Sequence, residues 1–178
     1  MKFIYLLLFT ALLYSCSDQK VKPAINTALN IEEMPAQESW NSKVIFTDSG
    51  KTQAILYTGR LRMFTGARET LLDSSVKVEF YNDRDTISTV LTSKRGRVDD
   101  ISRNLYAIDS VVAVSDSGVT LLTEQLMWRN DDKKIISEKF VTILTSTERI
   151  EGFGFESDQS LNNYVIHDVT YVSRRDSL

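Results

Sequence analysis

Only two prolines, one cysteine and one histidine occur among the 178 residues, and each scarcity closes off a class of protein. A single cysteine permits no internal disulfide, so the fold must stand on its core. A single histidine, His167, leaves no Ser/His/Asp set to assemble, and a lone histidine on an alternating strand reads as structural. No apolar run reaches the ~20 residues needed to span a bilayer as a helix. No glycine-rich loop leads from a strand into a helix, so there is no phosphate cradle. A net charge of −3 without a basic patch argues against nucleic acid. No helical period of ten or more residues stands out after residue 40.

What is present is a strand–turn–strand unit that returns at nearly constant spacing. Val44-Ile45-Phe46 runs into Thr47-Asp48-Ser49-Gly50 and on to Thr52. Val76-Lys77-Val78-Glu79-Phe80 runs into Asn82-Asp83-Arg84-Asp85 and on to Thr86. Val111–Val114 leads through Ser115-Asp116-Ser117-Gly118 to Thr120, and Val141–Leu144 through Thr145–Glu148 to Ile150. Thr52, Thr86 and Thr120 are 34 residues apart, and Ile150 follows after 30. A fixed period means one supersecondary unit used several times. The 76–80 segment alternates apolar and polar, as a half-buried strand does. Gln53–Tyr57, Ile87–Leu91, Leu121–Leu126 and the long run Tyr164–Val172 also read as strand. Asn130-Asp131-Asp132 adds a further turn signal. Hydrophobic residues at 42% and charged residues at 25% are ordinary for one globular domain. The expected fold is all-β, a sandwich or an open, rolled structure of antiparallel strands.

The front of the chain reads differently. Lys2 precedes the apolar run Phe3–Leu13, which has the length of a signal peptide, and Leu13-Tyr14-Ser15-Cys16 follows. That ending resembles the bacterial lipoprotein signal, with Leu at −3, a small residue at −1 and then the cysteine that becomes residue one. Tyr14 is bulkier than usual there. Acylation of Cys16 would consume the unpaired thiol. The alternatives are an ordinary leader with an incidental cysteine, or a buried apolar strand. The expected organisation is a signal peptide over 1–15, a lipidated cysteine and tether over 16–39, and a β-domain over 40–178. Within the tether, Ala24–Met34 has the composition for a turn or two of helix.

Three segments carry a resemblance to a known family. They are Glu38–Thr52, Asp116-Ser117-Gly118-Val119-Thr120-Leu121-Leu122-Thr123-Glu124-Gln125-Leu126-Met127-Trp128, and Ile150-Glu151-Gly152-Phe153-Gly154-Phe155-Glu156-Ser157-Asp158. In this order, behind a signal segment, they resemble the LptC family of lipopolysaccharide-export proteins, in a Bacteroidetes-type lipoprotein form. The family pattern D-G-x-x-L-x-T-x-x-L-x-W is met by Asp116–Trp128 with Ser117 inserted. The resemblance implies an open, twisted β-jellyroll of the OstA-like kind, V-shaped in section and without catalytic residues or cofactors. It implies a periplasmic protein at the inner membrane that passes lipopolysaccharide from the LptBFG transporter to LptA. Better-known members anchor through a transmembrane helix, whereas this chain would use Cys16. A membrane-anchored β-sandwich that binds protein or glycan, with no lipid cargo, is the other reading.

The chemistry of such a role is demanding. Exposing one acyl chain of about twelve methylenes to water costs roughly 10 kcal/mol, so a carrier needs a long dry surface. The candidates for that lining are Val44, Phe46, Val76, Val78, Phe80, Val112, Val114 and Ile143; the alternative is that they close into an ordinary core. Open sheets leave edges that template pairing with another chain. The edge strand for a partner is expected at Tyr164, Ile166, Val169 and Tyr171. Truncation after Ser160 is expected to leave a folded protein that no longer recruits that partner. Gly152 and Gly154 signal either a bulge or a wall thinned for an acyl chain or a partner strand. Asn82-Asp83-Arg84-Asp85 lacks the glycine and terminal Glu of a calcium loop, Asp131–Lys134 reads as a solvated turn, and Glu32-Glu33 and Asp99-Asp100 have nothing to raise their pKa. No metal site is expected.

Overall fold

The computed structural model describes residues 34–174. The leader, Cys16, the tether and the short helix read over 24–34 fall outside the described residues, apart from the last of that segment and of the tether, as does Glu32-Glu33. Ten strands follow one another: β1 (Gln37–Asp48), β2 (Lys51–Phe64), β3 (Glu69–Tyr81), β4 (Ile87–Ser93), β5 (Arg95–Asp99), β6 (Leu105–Ser115), β7 (Thr120–Arg129), β8 (Lys134–Leu144), β9 (Glu148–Asp158) and β10 (Tyr164–Arg174). All pairings are antiparallel. They form one sheet in the order β1-β2-β3-β4-β6-β7-β8-β9-β10, with β5 pairing β3 and β6. Among the described residues the sheet does not close, so β1 and β10 are its free edges. Among the described residues no helix is long and apolar enough to cross a membrane.

The shape comes from a crease that crosses the strands. Register shifts fall between Thr58 and Arg60, Ile108 and Val111, Thr123 and Met127, and Ser137 and Phe140. Pairing places these irregularities opposite one another, in a line through Gly59, Ser74–Ser75, Lys94, Asp109–Ser110, Glu124, Glu138–Lys139 and Gly154. Ser74, Ser75, Asp109 and Ser110 all take positive φ there. A bulge bends its strand and resets the alternation of side chains. In β2 the buried phase accordingly passes from Ala54, Leu56 and Thr58 to Leu61, and in β7 from Leu121 and Thr123 to Leu126 and Trp128. At the same line β4 ends and β5 begins, and the two together make one broken strand.

The crease divides the sheet into two arms that pack face to face. The near arm carries the four repeated turns, at 48–51, 81–87, 115–120 and 144–148, all on one rim. The period in the sequence is therefore the return of the chain to this rim. Asn82 closes its own turn by accepting from Arg84 N, Thr86 N and Thr86 Oγ1, which accounts for its place without a cation. Asp99 caps its turn likewise, and the Ser102 backbone and hydroxyl donors hold its carboxyl below the ordinary value.

Bending frees backbone carbonyls, and buried hydroxyls take them up. Thr58 Oγ1 lies 2.9 Å from Asp73 O, Ser93 Oγ 2.8 Å from Arg95 O, Thr123 Oγ1 2.9 Å from Phe140 O and Ser137 Oγ 2.7 Å from Gln125 O. Each of these four side chains is buried on the inner face, where an unpaired backbone carbonyl would cost about 1–3 kcal/mol. Away from the crease the interior is mainly apolar, with Trp128, Phe80, Phe155, Leu56, Leu91, Leu121 and Ile143 fully enclosed.

Candidate functional site

An apolar cavity of about 480 Å³ opens between the arms at the β1 end of the sheet. Val44 and Phe46 of β1, Leu56 and Leu61 of β2, Leu72 of β3 and Val98 of β5 form its walls. Leu56 belongs to the near arm and Leu61 to the far arm of one strand, so the crease itself brings both onto a single surface. The polar groups at its rim are few. Thr70 Oγ1 donates to Asp100 Oδ1 at 2.9 Å, and Arg103 and Asn130 stand at the mouth. This is a surface for alkyl chains, with polar groups only where it meets water.

The expected lining residues separate into three groups. Val44 and Phe46 line the cavity. Val76, Val78, Phe80 and Ile143 face inward but are wholly buried in the packed centre, where side chains already fill the space. Val112 and Val114 do not face inward: Val114 is 43% exposed, and the inner face of β6 is Val111, Ala113 and Ser115. Both phases of Val111–Val114 are apolar, so alternation could not choose between them. The small Ala113 and the hydroxyl of Ser115 fit the crowded interior, and the larger valines turn out.

The two glycines of β9 serve β10. A Cβ on Gly152 would come within 2.4 Å of Asp168 O and 2.7 Å of Ile166 Cγ2, and one on Gly154 within 2.9 Å of the His167 ring. Gly154 also holds φ +73° at the crease. The close neighbour in each case is the chain's own last strand, so both glycines make room for β10. Along β10 the side chains change character. Tyr164 stacks on Phe155 with ring centres 6.0 Å apart, and Ile166 packs on the core. Val169 and Tyr171 are exposed, and the outer flank of the whole strand is unpaired.

His167 is exposed on β10, and among the described residues no group of three or more His, Cys, Asp or Glu side chains is placed to hold a metal ion. Asp131 and Asp132 sit in the β7–β8 turn, where the Arg129 guanidinium holds the Asp132 carboxyl at about 2. The residues that sequence reasoning passed over are Leu56, Leu61, Leu72 and Val98. Leu61 and Val98 lie beyond the crease, where the alternation had been reset.

A search of curated proteins finds none that matches the chain. The family described as "Lipopolysaccharide-assembly, LptC-related" matches it over residues 3–170. That family serves lipopolysaccharide transport and is not enzymatic. Its members work in the periplasm in association with the inner membrane and interact with lipopolysaccharide and other Lpt proteins. With nearly the whole length matched and an open antiparallel jellyroll beneath it, the chain belongs to the LptC-related family of lipopolysaccharide-assembly proteins.

Proposed function

We propose that this protein is a periplasmic bridge, anchored by acyl groups on Cys16, that passes lipopolysaccharide from an LptBFG-type transporter to an LptA-type jellyroll. The observation that carries the reading is the apolar cavity between the arms, beside the free β1 edge. It offers acyl chains a dry wall while the mouth leaves a polar headgroup in water. Photocrosslinkers at Val44 or Phe46 are expected to label lipopolysaccharide in cells, and one at Val114, on the outer face, is not. Equal labelling at Phe46 and Val114, or none at Phe46, would favour a lipoprotein that binds protein or glycan without lipid cargo.

The anchor follows from arithmetic on acyl chains. One chain holds a protein to a membrane only reversibly, and two or more hold it stably. A lipoprotein cysteine carries more than one. The Cys16→Ala protein is expected in the soluble fraction after cell lysis; its retention with membranes would refute the lipid anchor.

A further inference from the structure

A second cavity, of about 690 Å³, shares the β7–β8 turn with the first. Asn130 lines the apolar cavity, while Asp132, Lys133 and Lys134 line the second, whose other walls come from Gln53 of β2, the β3–β4 turn, the end of β9, and Val165 and His167 of β10. Two buried polar atoms in its lining have no hydrogen-bond partner. One is Ser157 Oγ, on a residue only 2% exposed. The other is Gln159 Oε1; the same amide donates its Nε2 to Tyr81 O at 2.6 Å, which fixes its orientation.

These atoms define what would satisfy them. Gln159 Oε1 only accepts, so its partner must donate, while a serine hydroxyl both donates and accepts. The charges in the lining are Asp83, Asp132, Glu156 and Asp158 against Lys133 and Lys134. Both lysines are engaged, Lys134 with Glu156 and Lys133 with Asn130 O at 2.5 Å. A phosphate would find surplus negative charge, four carboxylates against two lysines. A sugar hydroxyl meets both requirements, since it donates, accepts and carries no charge.

We infer that the polar cavity binds the neutral saccharide of a glycolipid whose acyl chains occupy the apolar cavity, with the molecule seated astride the β7–β8 turn and contacting Ser157 and Gln159. This rests on the transport reading above. The test titrates the full chain with dephosphorylated, carboxyl-reduced core oligosaccharide from lipopolysaccharide, followed by amide chemical shifts. Saturable shifts at Ser157 and Gln159 are expected. Ser157→Ala is expected to bind about fivefold more weakly and to melt no lower than the wild type, because the hydroxyl it removes has no partner within the protein. Absence of saturable shifts, wild-type affinity in Ser157→Ala, a lowered melting point in that variant, or equal shifts with inorganic phosphate would each overturn the inference. Crosslinking from Phe46 separates the two readings. Oligosaccharide binding without lipid crosslinks removes the transport reading and the astride seat with it; crosslinks without oligosaccharide binding remove only the saccharide site.

Discussion

Truncation after Ser160 is expected to unfold the domain, and truncation after His167 to leave it folded without its free C-terminal edge. The first cut removes Leu161, which is 0% exposed, along with Tyr164 stacked on Phe155 and Ile166 packed on the core. Deleting one buried side chain of this size costs about 2–5 kcal/mol, against a total stability of about 5–15 kcal/mol for a domain. Losing Leu161 together with the half-buried Tyr164 and Ile166 takes much of that margin. The expectation that the shorter chain stays folded is therefore corrected: the early part of β10 packs on the core as well as forming the edge, and only the part beyond His167 is edge without core contacts. Asp168, Val169, Thr170, Tyr171 and Val172 are all exposed, so their removal takes little from the interior. Thermal melting by circular dichroism should show a cooperative transition for residues 1–167 and none for 1–160. A pull-down of the LptA-type partner should fail with residues 1–167, because the strand that would template pairing is gone. Undiminished capture by that chain would place the docking edge elsewhere, with β1 the other free edge.

How far the sequence could be read depended on whether a segment lay on the near or the far arm. The repeated turns were legible because Asp-Ser-Gly and Asn-Asp chemistry is local, and all four lie on one rim. The inward face of β3 was legible because Val76, Val78 and Phe80 alternate with Lys77 and Glu79, which form an ion pair 2.7 Å apart on the other face. That pair holds the Glu79 carboxyl below its ordinary value. The β6 face was not legible, because four successive apolar residues offer two equal phases. The far arm was not legible either. Its strands keep alternating, but from a starting point that the bulges reset, and a bulge in β8 shows no strong local signal at Glu138-Lys139. The buried hydroxyls at Thr58, Ser93, Thr123 and Ser137 do mark the line, one per strand, yet their meaning appears only when the strands are paired. The cavity walls inherit the same limit, since Val44 and Phe46 lie on the near arm while Leu61 and Val98 lie on the far arm.

Trp128 is expected to be the single most costly side chain to remove. It is 0% exposed and sits on the far arm. Two near-arm rings close on it: Phe46 edge-on, with centres 5.5 Å apart at 80°, and Phe80 tilted at 5.6 Å. Lys133 lies 5.6 Å over its ring and reaches Asp48 Oδ2, on the near-arm rim, at 3.8 Å. The exposed ion pair contributes little, so the joint between the arms is chiefly aromatic. Trp128→Ala is expected to cost about 3–5 kcal/mol, seen as a lower urea midpoint at unchanged slope. Trp128→Phe should lose less than half of that. It keeps a ring between Phe46 and Phe80 and removes the indole Nε1, which is buried without a hydrogen-bond partner, a group whose burial itself costs about 1–3 kcal/mol. Circular dichroism is the appropriate readout, because the other tryptophan, Trp40, is exposed on β1 and reports poorly on the interior. A Trp128→Ala midpoint within error of the wild type would mean that the arms are held by the crease alone. The cavity would then be a rigid product of the bulges, and its width would not depend on the packing of this ring.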